Sequence, residues 1–290
     1  MARLRGAAAL FFPVFFGAAL LLFPDVSAAA AREGVALCLQ TVLPSLFPFF
    51  VLSSLLVQSD MPRLLSRAMA GVMYPLFGVS GAGASALILG LLGGYPVGAR
   101  TVAELYGRGE IAREEAEQLL AFCNNSGPGF FLGVCGTAVF GSARAGAYLY
   151  LIHVGAALVT GVLLRRDLGL PRRKAVSRQR APFDLAAALP AAVQSSFAAV
   201  GSVSAFVIFF MVLLRLLSLV PALAALPPLP RAALFGFVEM TNGVNALPAT
   251  RAGFVLCAAI MNWGGLSVQA QTRALLAGSA LSARRCVTGK

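Results

Sequence analysis

The sequence predicts an all-α polytopic membrane protein built as two inverted repeats with broken or re-entrant helices. Three observations carry that expectation. The 290 residues have a mean hydropathy of +0.83, with 59% hydrophobic and only 12% charged residues, whereas soluble domains carry about a quarter charged. Several apolar runs approach the ~20 residues that cross a bilayer as a helix. Glycine, proline and small amides interrupt such runs twice in each half of the chain. Backbone freed by such breaks is tolerated at membrane depth where it is buried in protein or lines a cavity. The net charge of +12 would suggest nucleic acid in a soluble protein. In this chain it reports orientation, because Arg and Lys gather on cytoplasmic loops. The expected partners are therefore the lipid bilayer and a small-molecule solute, with no nucleic acid. Cys38, Cys123, Cys135, Cys257 and Cys286 form no CxxC pair and sit mostly in apolar sequence, which favours small buried side chains over metal ligands or disulfides.

Taken in order, residues 1–33 carry Arg3 and Arg5 ahead of an apolar run, with SAAAA at 27–31. The small-residue stretch resembles a signal-peptide cleavage site, but the run is long for one and more spans follow. An uncleaved first transmembrane helix with a cytoplasmic amino end is the favoured reading. Residues 34–164 form the first repeat. Its opening span, 34–57, returns to the inside and is kinked by Pro44 and Pro48. Residues 69–79 suit a partial or re-entrant span, and 80–92 are rich in the small residues that let membrane helices approach closely. The apolar stretch then breaks at Gly93-Gly94-Tyr95-Pro96 and again at Asn124-Asn125-Ser126-Gly127-Pro128-Gly129. Between the breaks, residues 100–117 hold five of the eleven acids, Glu104, Glu110, Glu114, Glu115 and Glu117. A solvated helical hairpin outside the hydrocarbon is the expectation there. Residues 145–164 are a clean span containing the single histidine, His153, which suits either a proton relay or an interhelical hydrogen bond.

Residues 165–185 form the most basic loop, with Arg165, Arg166, Arg172, Arg173, Lys174, Arg178 and Arg180, and are expected to be cytoplasmic. The second repeat occupies 186–290. It opens with a long helix over 189–219 that carries Ser195, Ser196, Ser202 and Ser204, and breaks at Pro227-Pro228. Residues 231–247 then have the build of 84–99, an apolar half-helix, a Gly-containing polar break and a resumed helix. Residues 251–271 likewise parallel 119–134. The first repeat opens outside-to-inside and the second inside-to-outside, so the repeats are inverted and a site is expected where the broken helices meet at the midplane. The second half has no counterpart of the 145–164 span. Its carboxyl end is accordingly expected inside, with Arg284, Arg285 and Lys290.

Candidate site residues follow from the breaks. Glu239 is the one acid in an apolar segment of the second half, beside Met240-Thr241-Asn242-Gly243. An intramembrane carboxylate suggests a bound proton, cation or solute; the competing reading is a structural hydrogen bond or an ion pair with Arg251 or Arg100. Pro96 and Pro128 suit the first turn of a resumed half-helix. Gly94, Tyr95, Ser126 and Gly127 would then offer backbone N–H groups to an anion, while Asn124, Asn125, Thr241, Asn242 and Asn262 supply neutral donors and acceptors. Tyr95 and Trp263 could stack on a flat ring or fill core volume, and Arg215 suits an interfacial position. Catalytic, metal and cofactor motifs are absent: there is no HExxH, no P-loop and no paired carboxylates in an apolar span.

The stretch GLLGGYPVGARTVAELYGRGEIAREEAEQLLAFCNNSGPGFFLG resembles the hallmark region of the YlbJ-type sporulation integral membrane proteins, also called SpoVV. VLPSLFPFFVLSSLL and GFVEMTNG look like two further signatures of that family. These proteins carry the nucleoside-recognition, or Gate, domain, which is similar to part of the concentrative nucleoside transporters. The resemblance covers residues 34–265 and implies two inverted Gate-like repeats, with Glu239, Asn124 and Asn125 on motif positions. It also implies a protein of endospore formers, placed in the outer forespore membrane and linked to moving dipicolinate. Longer relatives are expected to carry a final pair of helices, which leaves a homo-oligomer open. The expected function is a transporter or facilitator for a small anionic heteroaromatic solute, with dipicolinate implied by the resemblance. Nucleoside transport and a non-transporting membrane scaffold stand as the alternatives.

Overall fold

The computed structural model describes residues 2–166 and 183–290, and every regular element among them is helical. Helix α1 (Ala2–Leu22) ends at Phe23, where the axis turns by 101° into α2 (Pro24–Leu37). Pro24 suits that start, because the first helical N–H has no partner to lose. The chain passes from α2 into α3 (Leu43–Gln58) through one π turn at Cys38–Val42. Pro44 explains the turn. Its ring would crowd the carbonyl four residues back, so the hydrogen bonding slips a residue and the Leu43 N–H reaches the Cys38 carbonyl. The division expected between residues 33 and 34 thus falls inside α2. SAAAA at 27–31 is helix, and the expected 34–57 span runs through the end of α2, the π turn and α3.

Helix α4 (Met61–Phe77) stops at Gly78, whose φ of 68° makes the left-handed cap that glycine adopts freely. After a 100° bend and one 3₁₀ turn (Gly81–Gly83), α5 (Ala84–Gly93) begins. Residues 69–77 are therefore the closing part of a longer helix in a bent pair, in keeping with the expected partial or re-entrant span, which starts upstream of residue 69. Helices α6 (Val97–Gly107) and α7 (Arg113–Leu120) form the hairpin between the first two breaks. A π segment (Phe130–Val139) follows, then α8 (Ala143–Leu163), whose first turn is capped by Ser142.

The second half runs through α9 (Leu185–Leu217), capped by Asp184, then α10 (Pro221–Ala224) and α11 (Pro228–Val238). It ends in α12 (Met240–Asn245), α13 (Arg251–Trp263), α14 (Gly265–Leu276) and α15 (Arg284–Thr288). Among the described residues three helical stretches are long and apolar enough to cross a bilayer: Ala143–Leu163, Leu185–Leu217 and Arg251–Leu276. The number rises to five if each bent pair is one span. Exposed leucines, valines and phenylalanines on α1, α3, α8 and α9 give these helices faces suited to lipid tails. The chain is an all-α polytopic membrane protein with broken helices. Of the basic loop, Arg172, Arg173, Lys174, Arg178 and Arg180 lie outside the described residues.

The α6–α7 hairpin is packed into the protein, which corrects the expectation of a solvated one. Seven residues of α6 from Val97 to Leu105 are buried, and Glu110 and Glu115 are buried with them. Their charges are answered locally. Arg100 pairs with Glu104 at 2.9 Å, Arg108 with Glu110 at 3.8 Å, and Glu115 accepts from the Ser80 N–H and hydroxyl. Burying a charge is expensive unless it is paired, and here pairing makes the amphipathic hairpin a core element. Arg215, expected at an interface, is half-exposed and pairs with Glu33 of α2.

Four hydrophobic clusters result among the described residues, and the two largest matter for the breaks. One joins α4–α7 to Leu276, Leu281 and Cys286; the other joins Phe131, Cys135 and Leu149 to α11–α13. The second half therefore packs against both ends of the first. Residues beside the breaks belong to both: Cys123 lies in the first, and Met240 and Met261 pack in the second.

Candidate functional site

Each half brings its two breaks together, and glycine makes the approach possible. In the first half Gly94, at φ 81°, lies against Gly127; a Cβ on Gly94 would sit 3.0 Å from the Gly127 nitrogen. Gly90 and Gly98 flank this contact, where a Cβ would fall 2.0 and 1.9 Å from the Cys123 carbonyl oxygen. In the second half Gly265, at φ 80°, lies against Glu239 and Met240, 3.0 Å from the Met240 nitrogen by the same measure. Pro96 sits at the cap of α6, and Pro128 opens the helical turn that leads into the π segment. Pro128 is in the first turn that its fixed φ suits, whereas Pro96, expected there too, is the residue just before α6 with φ −99°.

The halves are then joined to each other by polar side chains from the breaks. His153 of α8 accepts at Nε2 from the Ser126 N–H, 3.1 Å away, so its proton is on Nδ1. That nitrogen donates to Asn262 Oδ1 at 3.0 Å, and Asn262 Nδ2 donates to the Ala258 carbonyl. One buried imidazole thus ties the second break of the first half to the last break of the second. Asn124 donates to Thr272 Oγ1 at 2.9 Å, and Thr272 passes the chain to the Val268 carbonyl. Tyr95 donates its hydroxyl to the Met261 carbonyl at 3.3 Å and stands against Gly264. Three bridges therefore cross between the two halves of the chain.

The other candidates have more local tasks. Asn125 donates to the Phe122 carbonyl at 2.7 Å and closes its own turn. Glu239 accepts from the backbone N–H and side-chain amide of Asn242, at 2.8 and 2.9 Å, and so caps α12. Neither Arg251 nor Arg100 pairs with it among the described residues; Arg100 is held by Glu104 and Ser195. Asn242 faces a separate groove with Arg231, Asn245 and Ser218. Thr241 is partly exposed on α12 and outside the bridged cluster. Trp263 stacks on Phe237 at 5.1 Å and donates to its carbonyl, so it serves the α11–α13 contact. The Ser126 N–H, expected to be offered to an anion, is already engaged by His153.

Two residues outside the expected set belong here. His153 stood out in the sequence as a lone ionisable side chain in an apolar span, although its partners were not legible. Lys290 carried no signal beyond orientation. Its ammonium reaches the first break, donating to Tyr95 Oη and to the Asn124 carbonyl, both at 2.7 Å, and it lies 4.5 Å from the centre of the Tyr95 ring. Beside it is a small cavity of about 80 Å³, bordered by Asn125, Thr160, Asn262, Gly289 and Lys290.

Comparison with known proteins agrees with this architecture. The family model described as nucleoside recognition, Gate, matches residues 39–214, which carry both breaks of the first half and most of α9. The sporulation integral membrane protein YlbJ of Bacillus subtilis (strain 168) is 30% identical over 302 residues, covering 91% of this chain and 74% of that protein. No solved structure matches the chain. An integral membrane protein whose glycine breaks meet in pairs, the chain belongs to the nucleoside-recognition (Gate) family.

Proposed function

We propose that this chain carries a small, flat, anionic heteroaromatic solute across a membrane during spore formation, with dipicolinate as the solute. The observation that supports it most is the meeting of four helix breaks, bridged by His153–Asn262, Asn124–Thr272 and Tyr95–Met261. Helix breaks placed opposite one another in two halves are where transporters of this kind bind their solutes. On this reading residues 34–164 and 186–290 are the two inverted Gate-like repeats, and Gly94, Tyr95, Pro96, Asn124, Asn125, Ser126, Gly127 and Asn262 form the solute site. Glu239, Thr241 and Asn242 belong to its second-half wall. Sporulation enters from the printed name of the B. subtilis relative, and dipicolinate from the resemblance of the hallmark segment.

A second reading is nucleoside transport. It is favoured by the description of the matched family model and by the neutral amides of Asn125 and Asn262 beside the cavity. Spores separate the two readings. In a B. subtilis strain lacking YlbJ and expressing this chain, wild type restores spore dipicolinate and a well-expressed Asn124→Ala variant does not. Normal dipicolinate in the strain that lacks both proteins would contradict the dipicolinate reading and direct the test to nucleoside uptake.

A further inference from the structure

We infer that Lys290 is the charge-selecting residue of the solute site, giving carboxylate-bearing solutes their advantage over neutral ones of the same shape. The inference rests on the site reading above and adds a residue and a selection rule to it. The ammonium is partly buried against the first break. It donates to two oxygens, Tyr95 Oη and the Asn124 carbonyl, and no carboxylate pairs with it among the described residues. An ammonium has three donors, so one remains beside those two. Neutral oxygens satisfy its hydrogen bonds but not its charge, and a carboxylate does both.

Its place is held by the chain around it. Gly289 lies so close to α7's end that a Cβ there would be 1.8 Å from the Ala121 carbonyl oxygen. Cys286 accepts from Asn124, Arg285 donates to the Leu164 carbonyl, and the Ser282 N–H bonds to Glu117. The segment is therefore docked along its length on the first half, and Lys290 projects from it onto the break. Two further features point to a ligand. Asn124 Oδ1 is buried without a partner, in a residue whose backbone carbonyl already holds Lys290. The adjoining cavity of about 80 Å³ has room for one carboxylate group, while whole-ligand pockets run to about 300–1,000 Å³. A flat ring would reach it only as the break opens, carboxylate first.

The test is equilibrium binding to the full-length detergent-solubilised protein, using pyridine-2,6-dicarboxylate and its neutral diamide as probes. Wild type is expected to prefer the dicarboxylate, and Lys290→Gln to lower that preference by about tenfold or more. Lys290→Arg restores the charge and is expected to recover most of the preference. A purely structural role would weaken both probes together and leave their ratio unchanged, and that result would overturn the inference. Absence of dicarboxylate binding by wild type would overturn it too. Uptake into vesicles is read separately. Binding selectivity without flux would contradict the transport reading and keep Lys290 as the selector, whereas flux with an unchanged ratio in Lys290→Gln would do the reverse.

Discussion

His153 is the residue on which the two halves depend most directly. Removing its ring strands the Ser126 N–H and Asn262 Oδ1 inside the protein, and each buried unpaired group costs about 1–3 kcal/mol. His153→Ala is therefore expected to lower stability by at least about 2 kcal/mol, read as an earlier thermal melt in detergent; an unchanged melt would show that the bridge carries no weight. Glu239 separates structure from chemistry more cleanly. Glutamine keeps an oxygen for the Asn242 N–H, so Glu239→Gln should retain the α12 cap, whereas Glu239→Ala should lose about 1 kcal/mol. Loss of flux in a Glu239→Gln protein with a wild-type melt would then report on the carboxylate itself. Full flux in that variant would reduce Glu239 to a cap.

At the scale of elements, the site is built by backbone meeting backbone. Gly98 shows how little tolerance remains, since a Cβ would lie 1.9 Å from a carbonyl oxygen that cannot rotate away. Gly98→Ala is expected to cost about 3 kcal/mol or to abolish the folded protein. Gly129→Ala, with nothing within 4 Å of its Cβ position, should melt like wild type. Equal behaviour of the two would contradict the close approach of α6 to the second break. This is also where sequence reading succeeds and stops. The break positions were legible because glycine, proline and asparagine inside apolar runs have few other uses at membrane depth. Which break touches which was not, because Gly94–Gly127 and Gly265–Glu239 are backbone contacts with no side-chain signature. The α6–α7 hairpin was misjudged for a related reason. Five acids suggest water, but Arg100, Arg108 and Ser80 neutralise or bond three of them inside the fold. The bend before α5 was partly visible in the run of small residues at 80–83. The π turn before Pro44 was visible only as a kink.

At the scale of the molecule, α7, the end of α8 and α15 converge on the Leu164 carbonyl, which accepts from Gln118 and Arg285. That end leads directly into the basic loop, so on the topology we propose from the positive-inside rule it is the cytoplasmic end. Helix α9 carries the chain from that loop toward α10, which the same proposal puts on the opposite side. A cysteine at Ala224 should react with an impermeant maleimide from outside, and one at Arg284 only from within; the five native cysteines are buried and add little background. Labelling of both from one side would contradict the inverted arrangement proposed for the two halves. The central claim is that the four meeting breaks form a path for a small anionic ring. The measurement that tests it most directly is uptake of radiolabelled dipicolinate into vesicles containing purified wild type, Asn124→Ala or Glu239→Gln. The account predicts saturable uptake by wild type and at least a tenfold loss in Asn124→Ala at equal protein content, since the Asn124 side chain bridges the two halves through Thr272 and carries a buried unpaired oxygen. No uptake by wild type, or undiminished uptake by Asn124→Ala, would contradict it.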